Sequence, residues 1–120
     1  MKNDSFEMCM LFDFYGAVLT ERQQEVFDLY YNDDLSLAEI SEHTDITRQG
    51  VRDAILRSKN ILSEMEDKLG LVRRFKESTQ AMSVIHTMAQ ELDNINCTRF
   101  HSPDLDRRIV EILKLSEEPQ

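Results

Sequence analysis

Residues that interrupt helices are scarce in this chain. Its 120 residues include only three Gly and two Pro, whereas Leu, Glu, Met, Ala, Gln, Lys and Arg, which favour helices, are abundant. A β-sheet protein of this length would need more turns, so the sequence predicts an all-α chain. The length suits one domain, or one domain with a helical appendage.

No segment of the sequence predicts membrane insertion or secretion. The longest apolar stretch, Met8 to Phe12, has five residues, far below the roughly 20 that a membrane-spanning helix needs. The first residues lack the basic start, long apolar run and cleavage site of a secretion signal. We therefore expect a cytoplasmic protein without membrane association.

Cysteine and histidine residues are isolated along the chain. Cys9 and Cys97 are far apart, without a CxxC motif, and His43, His86 and His101 each stand alone. This pattern predicts reduced thiols, with neither a disulfide framework nor a zinc site. Because no nucleophile is paired with a base, we expect neither catalysis nor a cofactor.

The first helix is predicted to begin at Asp4 or Ser5. Asp4 is followed three residues later by Glu7, as in a capping box. Gly16 is predicted to end this helix. Its core-facing residues are expected to be Phe6, Met8, Met10, Leu11 and Phe14.

Two further capping boxes mark the next helices. Thr20 with Gln23 predicts a helix that ends near Asn32, and Ser36 with Glu39 predicts a short helix of barely two turns. In both helices the apolar residues expected to face the core recur at helical spacing. They are Val26, Phe27 and Tyr30 in the first and Leu37 and Ile40 in the second.

A break over residues 44–46 separates this short helix from a longer one, which Thr47 can cap and Gly70 can end. A short helix, a tight turn and a longer helix form a helix-turn-helix. Because its two helices cross steeply, the motif needs a small residue at the crossing, an apolar residue after the turn and apolar anchors in the second helix. Ser41 is the small residue at the crossing and Ile46 is the apolar residue after the turn. Val51 and Ile55 are the apolar anchors in the second helix.

The second helix of this motif carries the candidate nucleic-acid-binding residues. With Val51 and Ile55 facing inward, Arg48, Gln49 and Arg52 lie on the outer face, which in such motifs enters the major groove. Arg can bind guanine and Gln can bind adenine through paired hydrogen bonds, and a threonine hydroxyl at the helix N-terminus suits a phosphate oxygen. The predicted binding residues are Thr47, Arg48, Gln49, Arg52, Arg57 and Lys59.

Two residues near the turn are unusual. Gly50 costs about 1 kcal/mol relative to Ala inside a helix, which indicates close packing or close backbone approach at this position. Typical helix-turn-helix sequences have Gly where this chain has Asp45. Asp tolerates a left-handed turn better than most residues, but it adds a negative charge beside the recognition helix.

The net charge limits the expected affinity for nucleic acid. The chain carries 14 Lys and Arg against 23 Asp and Glu, a net charge of −9, yet residues 47–59 contain four basic residues and one Asp. A chain this acidic repels a polyanion, so a few basic groups predict weak and salt-sensitive binding. In the alternative, the arginines of this stretch only solvate the helix and form ion pairs with Glu42, Asp45 or Asp53.

Residues 71–120 are predicted to form a helical extension of a helix-turn-helix module that spans residues 1–70. A long helix with a wide apolar face extends from Leu71 to Ile95, and Ser102 with Pro103 starts a last helix. The wide face could pack on the first module or mediate self-association, and we favour a homodimer. Its seam consists of Leu71, Phe75, Met82, Ile85, Ala89 and Leu92.

Much of the chain resembles a known family. Residues 19–51, LTERQQEVFDLYYNDDLSLAEISEHTDITRQGV, resemble promoter-recognising region 4 of bacterial sigma factors. Together with MCMLFDFYGAVLTERQ, ITRQGVRD and LSEMEDKLG, they resemble more closely the YlxM, or p13-like, family of helix-turn-helix proteins. The resemblance implies a sigma-like helical fold without enzyme activity, and a regulatory link to the signal recognition particle pathway. It also places Arg48 and Gln49 at the start of the recognition helix, and Arg52 where a tyrosine is often found.

Two functions from different classes are consistent with these patterns. The first is a regulatory protein that contacts DNA or structured RNA through the basic residues, within or beside the protein-targeting pathway. The second is a protein-interaction module whose acidic surface docks on a basic partner, such as a targeting GTPase of the signal recognition particle pathway. The local cluster of arginines favours the first function, and the net charge of −9 favours the second.

Overall fold

The computed structural model describes residues 3–117, and all regular secondary structure in that range is helical. The predicted all-α fold with a helix-turn-helix is confirmed. Across the described residues, no helix combines the length and apolar character that a membrane span requires. The α-helices are α1 (Ser5–Tyr15), α2 (Glu21–Tyr31), α3 (Leu37–Thr44), α4 (Arg48–Leu69), α5 (Leu71–Ile95) and α6 (Pro103–Leu115).

The chain divides into two compact units, with the boundary between Val72 and Arg73. The first unit contains α1 to α4 and the first two residues of α5. The centre of its core consists of side chains from α2, α3 and α4 that have no exposed surface. They include Val26, Phe27, Ile40, Val51 and Leu62. The helix-turn-helix therefore shares a core with α2, and this core fixes the position of the second helix of the motif.

Helix α1 begins at Ser5, as predicted, but its cap and its buried face differ from the expectation. Asp4 makes no side-chain capping bond to the helix, because its carboxylate instead accepts hydrogen bonds from other elements. Phe6 is 77% exposed and Phe14 37% exposed, so their predicted burial is wrong. The buried residues of α1 are Met8, Leu11 and Tyr15, whose spacing of three and four residues follows one face of the helix.

The capping boxes predicted for α2 and α3 are both confirmed. Thr20 Oγ1 accepts the backbone N–H of Gln23 at 3.1 Å, while Gln23 Oε1 accepts the backbone N–H of Thr20 at 2.9 Å. Ser36 and Glu39 exchange the same two bonds at 3.1 and 3.0 Å. These reciprocal bonds satisfy amide groups that have no partner inside the helix, which is why both helices begin where the sequence predicts.

The junction between α4 and α5 is anchored by side chains from the first unit. Gly70 ends α4 in the left-handed conformation, with φ of 64°, as predicted. The Tyr15 hydroxyl donates to Glu66 Oε1 at 2.6 Å and accepts the N–H of Leu71 at 3.0 Å. Glu66 Oε1 also accepts the N–H of Val72 at 3.0 Å. The first amides of α5 are therefore bound without a conventional cap.

In the second unit, α5 and α6 are joined by a wide helical turn over Asn96–Phe100. The buried Asn96 amide side chain exchanges two hydrogen bonds with the backbone of Ser102, at 2.9 and 3.0 Å. Ser102 caps α6 and Pro103 occupies its first turn, as predicted. His86 Nδ1 lies 2.9 Å from Ser116 Oγ, which links the other ends of the two helices.

Candidate nucleic-acid interface

The turn between α3 and α4 is short and held by side-chain hydrogen bonds. Asp45 adopts the left-handed conformation, with φ of 59°, and reverses the chain directly after α3. Ser41 Oγ donates to the backbone carbonyl of Ile46 at 2.5 Å, so the predicted small residue at the crossing also binds the turn. The two helices of the motif are therefore fixed to one another at their closest ends.

Gly50 lies where α4 packs against the turn. A Cβ atom at this position would lie 2.6 Å from Ile46 Cγ2 and 3.1 Å from Thr47 Oγ1. The shorter distance is well inside van der Waals contact, and the β-branched side chain of Ile46 cannot rotate its Cγ2 freely. The predicted close packing at Gly50 is therefore confirmed, and its cause is the isoleucine of the turn.

The N-terminus of α4 has hydrogen-bond donors that suit an anion. Thr47 caps the helix, since its Oγ1 accepts the backbone N–H of Gly50 at 3.0 Å. The hydroxyl proton of Thr47 remains able to donate to another acceptor. The first backbone amides of an α-helix have no acceptor within it, so those of Arg48 and Gln49 can bind a phosphate oxygen.

Arg48 and Arg52 lie one helical turn apart on α4, and both are exposed. In the described range, neither guanidinium lies within 4.0 Å of a carboxylate, so the predicted alternative of ion pairs with Glu42, Asp45 or Asp53 does not occur. Side chains four residues apart project from the same side of a helix. The two positive charges therefore face solvent together.

Gln49 is exposed but has a local partner. Its Nε2 donates to Asp53 Oδ1 at 3.1 Å, one turn further along α4. The amide side chain must release this exposed hydrogen bond before it can pair with a base edge. Exposed bonds of this kind exchange readily with water, so Gln49 is accessible to a ligand at a small energetic cost.

Arg57 and Lys59, the other two predicted binding residues, are not grouped with Arg48 and Arg52. Arg57 is exposed but follows Arg48 by nine residues, which is about half a turn away around the helix at roughly 100° per residue. Lys59 Nζ forms an ion pair with Asp4 Oδ2 at 2.7 Å, and its side chain is only 32% exposed. The structure brings together Thr47, Arg48, Gln49 and Arg52, and leaves these two residues apart.

One basic residue near the turn was not identified from the sequence. Arg22 on α2 donates from Nη1 to the backbone carbonyl of Thr44 at 3.3 Å, at the C-terminal end of α3. A cation at that end of a helix is favoured by the helix dipole. The two residues are 22 positions apart, so no local pattern could reveal their contact. Arg22 therefore lies beside the helix-turn-helix, where its Nη1 is also 3.8 Å from Glu25 Oε2.

Asp4, Tyr31 and Lys59 form a polar network that connects α1, α2 and α4. The hydrogen bond from Lys59 is the main reason why the pKa of Asp4 lies below its ordinary value. The same bond raises the pKa of Lys59. The Tyr31 hydroxyl donates to Asp4 at 3.2 Å, and burial raises the pKa of Tyr31 to about 12. The carboxylate that fails to cap α1 thus holds three helices together.

Replacing Asp4 with Asn should destabilise the protein at neutral pH but not in strong acid. A carboxyl group whose pKa is lowered by folding contributes stability above its unfolded pKa and loses it as the pH falls through its folded pKa. Because the pair is one-third exposed, we expect the free energy of unfolding at pH 7 to fall by about 1 kcal/mol or less. Urea unfolding at pH 7 and below pH 3 would measure the difference.

Asp13→Asn serves as the matched control for this experiment, because it removes an exposed carboxylate from the same helix. It should change the stability at pH 7 far less than Asp4→Asn does. If the destabilisation by Asp4→Asn were equally large below pH 3, the ionised carboxylate would not be its cause.

Within residues 3–117, no group of three or more His, Cys, Asp or Glu side chains is arranged to hold a metal ion. Cys9 and Cys97 are free thiols, and Cys97 is exposed. Burial raises the pKa of the Cys9 thiol, so this group is less reactive than an ordinary cysteine.

The comparisons with known proteins agree with this geometry. The family described as "Putative helix-turn-helix protein, YlxM / p13 like" matches residues 2–99, which include the whole helix-turn-helix. A relative from Thermoanaerobacter sp. strain X514 is 42% identical over 118 residues, covering 98% of this chain and 97% of its own length. A relative from Acetivibrio thermocellus is 49% identical over 116 residues, covering 91% and 96%. The chain therefore belongs to the UPF0122 family of YlxM/p13-like helix-turn-helix proteins.

Proposed function

We propose that the protein binds nucleic acid, either DNA or structured RNA, through the N-terminal part of α4. The observation that carries this proposal is the pair of exposed guanidinium groups of Arg48 and Arg52, which lack carboxylate partners in the described range. They lie beside the capping hydroxyl of Thr47. The residues on the opposite, inward-facing side of the same helix are buried. This is the arrangement in which a recognition helix presents its first turns to the major groove.

Each residue of the proposed site has a distinct role. Arg48 and Arg52 bind guanine edges or phosphates, and Gln49 binds an adenine edge after it releases Asp53. Thr47 and the first amides of α4 bind a phosphate and set the orientation of the helix. Arg57 and Lys59, which the sequence also suggested, are left out of this proposal because the structure separates them from the other four.

We also propose that the protein acts as a homodimer. A net charge of −9 opposes binding to a polyanion, and a dimer would present two copies of the basic surface to one duplex. The support for self-association is the apolar side of α5, where Phe75, Met82, Ile85 and Leu92 are all more than 40% exposed. Large exposed apolar surfaces of this kind mark interaction sites.

We further propose a cytoplasmic, non-catalytic regulator within or beside the signal recognition particle pathway. Its family resemblance supports this role. The ligand is then either promoter-like duplex DNA or the folded RNA of the particle. Both carry phosphates that basic side chains can bind, so a binding assay should include the two side by side.

Titration with a DNA duplex and with the particle RNA, at several salt concentrations, tests this proposal. If two arginines per protomer replace counterions on phosphates, the logarithm of the association constant should fall with the logarithm of salt concentration with a slope of about −2 per protomer. Fluorescence anisotropy at about 50 mM salt and above gives this slope. Absence of binding to both ligands at the lowest salt would contradict the proposal.

A second candidate function is docking on a basic protein partner, with the helix-turn-helix as a scaffold. The observation that favours it is the excess of 23 acidic over 14 basic side chains. Affinity capture from lysate at moderate salt, followed by nuclease treatment, distinguishes the two functions. Partners that remain after nuclease treatment support protein docking, and partners that are lost were bridged by nucleic acid.

A further inference from the structure

A small cavity opens on the surface of the first unit, next to the proposed nucleic-acid site. It has a volume of about 150 Å³ and lies between the end of α2, the start of α3 and the middle of α4. Pockets for drug-sized ligands begin at roughly 300 Å³, so this cavity suits a single small group. Its apolar and aromatic lining residues are Tyr30, Tyr31, Leu37, Ile55 and Leu56.

The row of arginines on α4 leads to this cavity. Arg48, Arg52 and Leu56 follow one another at intervals of four residues, so their side chains form one row along the helix. Leu56 is 44% exposed, whereas Ile55 beside it is buried. A nucleic acid bound to both arginines would therefore lie beside the cavity and its exposed leucine.

Two cationic side chains also line the cavity, and they differ in availability. Lys59 is held by its ion pair with Asp4, at 2.7 Å. Arg52 is exposed and has no carboxylate within 4.0 Å in the described part of the chain. The cavity thus combines an apolar and aromatic lining with one available positive charge at its edge. This combination favours a flat or apolar group that is attached to an anion.

A nucleotide base beside its own phosphate has this chemistry. Bases stack on aromatic and apolar side chains, and phosphates bind guanidinium groups. The ring of Tyr30 is positioned by an edge-on contact with Tyr31, in which the ring centroids are 4.9 Å apart and the planes 88° apart. A base that is stacked and paired inside a duplex cannot reach such a pocket, so the occupant must be an unpaired base.

We propose that the cavity binds one unpaired base of a folded RNA whose phosphates contact Arg48 and Arg52. This inference rests on the proposed function and narrows its ligand from duplex DNA or structured RNA to the second. Folded RNA exposes unpaired bases in loops and bulges, and the major groove of its paired regions is too narrow for side chains to read. Recognition of RNA by α4 therefore depends on a base that has left the stack.

Three otherwise identical RNA hairpins test the proposal. The first is fully paired, the second has one bulged adenine, and the third has an abasic residue at the bulge. The abasic residue keeps the phosphate and the flexible backbone but lacks the base. In anisotropy titrations at low salt, the bulged adenine should strengthen binding by about tenfold or more over both other hairpins, because stacking of one base contributes on this scale.

Leu56→Ala tests whether the base binds in this cavity. The substitution removes apolar surface from the wall and should reduce the preference for the bulged adenine by about threefold or more. Affinity for the fully paired hairpin should stay within about threefold. Leu69→Ala is the matched control, since Leu69 is 47% exposed on the same helix but does not line the cavity. It should retain the full preference.

Each result of these titrations decides the proposal. A preference for the bulged adenine that Leu56→Ala reduces and Leu69→Ala retains supports it. Equal binding of the bulged and abasic hairpins, or a preference that Leu56→Ala leaves unchanged, overturns it and leaves the cavity to another group, such as an apolar side chain of a protein partner. The proposed function stands in either case.

A DNA hairpin with the same bulge and a fully paired DNA duplex complete the comparison. Weaker binding of both DNA ligands than of the bulged RNA supports the assignment to RNA. If either DNA ligand binds at least as tightly, that assignment is overturned. If no RNA or DNA ligand binds at low salt, this inference and the proposed function both fail.

Discussion

Replacing both Arg48 and Arg52 with Ala should lower the affinity for nucleic acid by at least about tenfold at low salt. Each arginine that pairs with a base edge is worth roughly 1–3 kcal/mol, and each that binds a phosphate contributes about one unit to the salt slope. Anisotropy titrations should therefore show both a weaker association constant and a flatter salt dependence. Folding should be retained, because substitution of exposed residues usually changes stability by less than about 0.5 kcal/mol.

Arg57→Ala is the matched control for the arginine experiment. It removes the same charge from the same helix, about half a turn away from the proposed site. Its effect on affinity should stay within about threefold, the change expected from net charge alone. If Arg57→Ala weakened binding as much as either single substitution at Arg48 or Arg52, general electrostatic attraction would explain the binding and the proposed site would be wrong.

Replacing Gly50 with Ala should destabilise the helix-turn-helix, although Ala is the better helix former. The substitution gains about 1 kcal/mol in helix propensity. It also places a methyl group 2.6 Å from Ile46 Cγ2, and such overpacking typically costs about 1–3 kcal/mol. We expect urea unfolding to show a net loss of up to about 2 kcal/mol, and nucleic-acid binding to weaken because the turn must shift.

The double substitution Gly50→Ala with Ile46→Ala tests whether the contact with Ile46 causes this loss of stability. Ile46→Ala removes the Cγ2 atom that the new methyl group would meet. In that background, Gly50→Ala should be neutral or should stabilise the protein by up to about 1 kcal/mol. If Gly50→Ala alone increased stability, the close packing between α4 and the turn would not constrain this position.

Local sequence patterns predicted the helix boundaries that depend on neighbouring residues. The capping box at Thr20 and Gln23 and the left-handed stop at Gly70 were confirmed because each depends on atoms three or four positions away. Asp4 has a similar pattern but does not cap, because Lys59, 55 positions later in the sequence, forms a stronger interaction with its carboxylate. Propensity cannot anticipate a partner that only the fold brings near.

The residues of the candidate site could be predicted from the sequence to about the same extent as the helix boundaries. Periodicity identified Val51 and Ile55 as buried, and therefore placed Arg48 and Arg52 on the outer face. It could not show that Lys59 is held by Asp4, or that Arg22 reaches the carbonyl of Thr44. The apolar pattern of α5 similarly indicates what the helix can bury, but the pattern of one helix does not specify which surface covers it.

The left-handed aspartate in the turn has a consequence for the proposed binding of phosphates. Glycine at position 45 would reverse the chain without strain and without charge, whereas Asp45 adds a carboxylate three residues before Arg48. That carboxylate repels any phosphate that approaches the start of α4. If the proposed site binds nucleic acid, an exposed repelling charge of this kind slows association and weakens binding.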